Sequence, residues 1–188
     1  LDDISMREPY AAICGITETE LRTHFDEDIH TLASALERTY EEARSLLRKR
    51  YDGYHFVAGG PGIYNPFSLL NTFKYMRPED YWFETGTPSY LVELLKHTHY
   101  DLYELANTET DADVLNSIDS TSSNPVPVIY QSGYLTIKDY DSRFGIYKLG
   151  FPNLEVEEGF VKYLLPFYTS VSAPKTPFEI GRFVREVE

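Results

Sequence analysis

Apolar residues at Ile29, Leu32, Ala33, Leu36, Tyr40, Ala43, Leu46 and Leu47 recur three and four positions apart. That spacing puts them on one face of a helix, and it predicts a single long helix of about twenty residues packed on a core. Its last turn carries Arg44, Arg48, Lys49 and Arg50, the densest basic cluster in the chain. Cations there complement the negative end of the helix dipole, and Gly53 is the natural breaker beyond it. Upstream, Thr17-Glu-Thr-Glu20 has the Ser/Thr-x-x-Glu spacing of a capping box, which predicts a short helix from about Glu18 to Phe25.

Further along, Asn65-Pro66, Thr87-Pro88 and Asn124-Pro125 each set a good N-cap residue before a proline. Proline suits the first helical position, where its missing N–H had no intrahelical partner. These pairs predict helices at Pro66–Met76, Pro88–His97 and Pro125–Ser132, the last closed by Gly133. A short strand is predicted within Thr108–Val114. Period-two alternation in Tyr134–Tyr140, a turn at Asp141–Phe144 and Gly145–Leu149 predict a hairpin. Asn153 caps a final helix with Val156, Phe160, Val161, Leu164 and Leu165 on its apolar face, and Glu155, Glu157 and Glu158 in its first turn suit the positive end. The pattern is mainly α with a small β component, an α+β chain. From about Thr85, the order helix, strand, helix, hairpin is that of a winged-helix-like unit.

Composition then narrows the function. The 188 residues include 30 acidic and 17 basic side chains, a formal charge of -13. That field repels phosphate backbones and anionic lipid, so a nucleic-acid partner needs a strong local basic patch. The predicted helix at 125–132, which would enter the major groove, has no charge, and the hairpin offers only Lys138, Arg143 and Lys148. Direct nucleic-acid binding is not expected. The one cysteine, Cys14, lies in the apolar run Tyr10–Ile16 and is expected as a buried, reduced thiol. No apolar run approaches the roughly 20 residues that span a bilayer, so no membrane is expected and a cytoplasmic protein is the default. The start at Leu1 and the stop at Glu188 inside an apparent amphipathic helix suggest a piece of something longer.

Several chemistries fail on residue type. A phosphate-binding loop needs Gly-x-x-x-x-Gly-Lys-Ser/Thr, and Gly59-Gly-Pro-Gly62 has no such lysine. A PD-(D/E)xK nuclease needs an acidic residue two before a lysine. Those positions here are Leu47, Thr72, Leu94, Thr136, Ile146, Phe160 and Ala173. His97 and His99, two apart, point to different helix faces, so no metal site is expected. The 16 tyrosines and Trp82 fit either a sugar or peptide groove or the filling of a domain seam, and the seam is the preferred reading.

Five ordered blocks carry a resemblance: Tyr51-Asp-Gly-Tyr-His-Phe56, Tyr64 to Asn71, Tyr81 to Pro88, Tyr130 to Ile137, and Leu149 to Asn153. Together the chain resembles the predicted AAA-type ATPases abundant in Bacteroidetes, which commonly carry a PD-(D/E)xK-like nuclease domain at the C-terminus. The resemblance implies that residues 1–16 are the tail of an ATPase core, 17–84 a helical lid, 85–152 a winged-helix-like unit, and 153–188 a C-terminal helix and the start of a linker. It implies Walker motifs upstream and the nuclease-like domain downstream as intramolecular partners. No catalytic residue or cofactor is then expected in this chain, with ATP and Mg belonging to the parent. By analogy, Asn65, Pro66 and Ser68 at a helix N-terminus are candidates for facing nucleotide, with Arg50 as a sensor-type cation. The rival to this non-catalytic lid is a self-contained acidic, aromatic-rich module that binds protein or glycan, followed by a nucleic-acid-binding winged helix.

Overall fold

A computed structural model describes residues 4, 6–84, 91, 93–95, 108–117 and 124–168. Most of the helix expected at Pro88–His97, with its Thr87 cap, lies outside them, although Leu91 and residues 93–95 are helical.

The chain opens on a 3-10 turn, Glu8–Tyr10, and a run of further turns. No regular element forms along Ala11–Gly15 to give these side chains a common inward face. Ala11 is buried while Ile13 and Cys14 face outward, so the expectation of a buried thiol is corrected. Strand β1 (Ile16–Thr17) then leads into helix α1 (Glu18–His24), where the Thr17–Glu20 capping box forms as expected.

The long helix of the periodicity is two helices, α2 (Asp26–Ala35) and α3 (Tyr40–Tyr51). Glu37 takes the left-handed conformation, φ 54°, and the Arg38 amide reaches back to the Ala33 carbonyl at 2.9 Å. This is a Schellman-type stop with glutamate in the place glycine favours. Thr39 restarts the chain through a second capping box: Glu42 accepts from the Thr39 amide at 2.8 Å, and the Thr39 hydroxyl accepts from the Glu42 amide at 3.3 Å. The apolar spacing runs through the break because α2 and α3 fold back on one another and bury their stripes in the same core.

Strand β2 (Ile63–Tyr64) pairs antiparallel with β1, Ile16 opposite Tyr64. Asn65 and Pro66 then start helix α4 (Pro66–Tyr75). Leu21, Ile29, Leu32, Leu47, Tyr51, Tyr64, Leu69 and Phe73 form the first core, drawn from contiguous sequence.

The second core is assembled from scattered pieces: Leu91 and Leu95, Leu115, Val126 and Ile129, Leu135 and Ile137, Leu149 and Phe160. The hairpin pairs β4 (Thr136–Asp141) with β5 (Ile146–Gly150), and β3 (Glu109–Thr110) adds to β5, giving the antiparallel order β3-β5-β4. The strand expected at Thr108–Val114 is only these two residues, because Asp111 caps a helical turn, α6 (Ala112–Leu115), by accepting from the Val114 amide. Helix α7 (Val126–Gln131) ends where Gly133 turns at φ 81°. Asn153 caps helix α8 (Leu154–Tyr168) by accepting from the Val156 amide at 3.1 Å. The architecture is α+β, mainly helical with small sheets. A short helix α5 (Tyr81–Glu84) packs between α4 and α8, and α8 also packs on α3, so the two cores meet along these elements.

Candidate functional site

The meeting of the two cores is polar at its centre. Arg50, in the last turn of α3, is mostly buried and ion-pairs with Asp80, and its Nη1 reaches Glu158 on α8 at 3.3 Å. Lys162 holds the other Asp80 oxygen at 3.1 Å. Burial opposes the Arg50 charge, but the carboxylates of Asp80 and Glu158 outweigh it and raise its pKa further. One turn of α8 away, Glu155 is fully buried. Its Oε1 accepts from the Ser68 hydroxyl at 2.7 Å and from the Trp82 amide at 2.9 Å, while its Oε2 has no hydrogen-bond partner. Burial drives the Glu155 carboxyl up to about 7, against the lowering effect of its two donors.

Tyr51 completes this joint from the first core. Its hydroxyl donates to the Glu79 carbonyl at 2.9 Å and accepts from Thr72 at 2.8 Å, and burial pushes its pKa up to about 12. The stretch after it is clamped to the second unit. Gly53, at φ 113°, lies so close to Pro152 that a Cβ would stand 2.2 Å from its carbonyl oxygen. The His55 amide donates to the Thr136 hydroxyl at 2.7 Å, which donates back to the His55 carbonyl at 2.9 Å. The aromatic block at 51–56 is therefore a seam, with Trp82 and Tyr134 ring to ring at 5.1 Å beside it.

The four candidates for facing nucleotide divide. Arg50 and Ser68 turn into the joint, each engaged by carboxylates. Asn65 caps α4, accepting from the Phe67 and Ser68 amides at 3.0 and 3.4 Å, so its own side chain takes two donors an anion would use. Asn65 and Pro66 also line a cleft of about 580 Å³ that opens between Tyr54–Phe56, the start of α4, Trp82 and the segment Tyr130–Gly133. This arrangement offers no ready phosphate cradle. Among the described residues, no group of three or more His, Cys, Asp or Glu could hold a metal ion, and no helix is long and apolar enough to cross a membrane.

Sequence reasoning missed Glu155, Asp80 and Thr136. Glu155 reads locally as an ordinary first-turn acid, and its partners Ser68 and Trp82 lie 87 and 73 positions away.

No family model matches the chain, and no solved structure does. Over 171 residues the chain is 34% identical to an uncharacterized protein in the vnfD 5' region of Azotobacter chroococcum mcd 1. The match covers 89% of this chain but 31% of that relative.

Proposed function

We propose that this chain is the non-catalytic lid and winged-helix region of a predicted P-loop AAA-type ATPase, coupling nucleotide state in the parent protein to an attached effector domain. The five sequence blocks support the family. The observation that carries the coupling is the joint: Arg50 on α3 and Ser68 on α4 are tied to Asp80, Glu155 and Glu158, so the helical unit and the sheet-bearing unit move together. ATP and Mg would be held by an upstream core, since the α4 amides and Arg50 are already engaged. Arg50 and Asn65 are then positioning residues. A relative more than three times as long as the matched segment is consistent with such flanking domains.

The test is ATP binding and turnover by the parent protein, wild type against Arg50→Ala and Asn65→Ala, with folding checked by circular dichroism. The expected result is a lower kcat with little change in KM for both variants, and no ATP turnover by the 188-residue chain alone. Turnover by that chain, or unchanged parent kinetics in both folded variants, would overturn the reading.

A further inference from the structure

We propose that the cleft between Tyr54–Phe56 and Tyr130–Gly133 is a binding site for a short neutral saccharide. This inference does not depend on the ATPase reading, because it rests on the lining of the cleft alone.

The chain carries a net charge of -13, yet none of the described residues lining this cleft has a formal charge. A nucleotide, sugar phosphate or carboxylate would enter a negative field and meet no counter-charge at the wall. A purely apolar ligand fails for the opposite reason, because it would strip water from polar groups without replacing its hydrogen bonds. One of those groups is a defined acceptor. The Gln131 amide nitrogen donates to the Leu115 and Ser117 carbonyls at 3.0 and 3.2 Å, which leaves its Oε1 as the open end. A ligand that satisfies it must donate.

Four aromatic rings also line the cleft: Tyr54, Phe56, Trp82 and Tyr130. Rings beside an open acceptor suit a sugar, whose hydroxyls donate while its C–H face lies on a ring. The volume of about 580 Å³ falls in the range of small-molecule sites.

Trp82 is the one tryptophan in the chain, so its emission reports on this cleft directly. The experiment titrates the full chain with maltose, cellobiose and glucose 6-phosphate, following Trp82 fluorescence and binding heat. Saturable binding of a neutral disaccharide is expected, at least about tenfold tighter than the phosphate. Phe56→Ala removes a partly exposed ring and should weaken that binding about tenfold without altering the unfolding midpoint. Absence of saturable binding by both disaccharides, tighter binding of glucose 6-phosphate, or full affinity in Phe56→Ala would each overturn the proposal.

Discussion

The two cores of this protein are specified in different ways. The first is written in contiguous sequence: residues 21 to 73 supply its side chains, and two threonine capping boxes and an asparagine cap set its helix starts. The second draws on pieces from residue 91 to residue 160, joined by short strands and helical turns of four to six residues. Helices of that length do not hold themselves together, so tertiary contacts must do it. We therefore expect the first core to act as a template and the second as the dependent partner, with α8 and the 51–56 stretch carrying the dependence.

The sharpest way to break that relationship is at Gly53. A methyl group there would meet the Pro152 carbonyl at 2.2 Å, and the backbone sits at φ 113°, where side chains are strained. Gly53→Ala should destabilise the protein by about 3 to 4 kcal/mol, combining left-handed strain with overpacking. The two cores should also part company. Trp82 emission, which reports the seam, is expected to change at lower urea than far-ultraviolet circular dichroism, which reports the helices. Coincident transitions in the variant would mean that the second core does not lean on the first through this contact.

Glu155 offers a reversible version of the same test. In the unfolded chain its carboxyl has the ordinary value of 4.5, and in the fold it rises to about 7. The folded state thus binds its proton more tightly. The stabilisation is fully present below pH 4.5, falls as the pH climbs from 4.5 through 7, and is gone above that. Its size follows from the shift and is on the order of 3 kcal/mol. Glu155→Gln keeps an oxygen for Ser68 and Trp82 while abolishing the charge. Its urea midpoint should exceed that of wild type at pH 8 and converge with it toward pH 4.5. A constant difference across that range would show that Glu155 does not titrate in the joint.

Much of this was legible locally. The caps at Thr17, Asn65 and Asn153, the hairpin turn and the stop at Gly133 are short-range devices, and each is visible within a few residues. The joint was not. Arg50 looks like a helix-end cation until Asp80 and Glu158, 30 and 108 positions away, are brought beside it. Cys14 misled for a related reason, since an apolar run implies burial only when a regular element aims it inward.

The α2–α3 break was legible in principle, because Thr39-Tyr-Glu-Glu42 repeats the Thr-x-x-Glu signal at Thr17. Continuous apolar periodicity concealed it, and the stop residue is Glu37 rather than glycine. That choice gives the smallest predicted effect and the cleanest check that the first core is locally encoded. Glu37 is exposed and holds φ 54°, a conformation that is unfavourable for side chains by roughly 1 kcal/mol and free of that strain for glycine. Glu37→Gly should therefore raise stability by at most about 0.5 kcal/mol, the relieved strain being offset in large part by the roughly 0.4 to 1 kcal/mol of entropy that glycine gives the unfolded chain. The gain should appear equally in Trp82 emission and in circular dichroism, because strengthening the template strengthens what depends on it. A gain confined to circular dichroism would show instead that the two cores are stabilised independently.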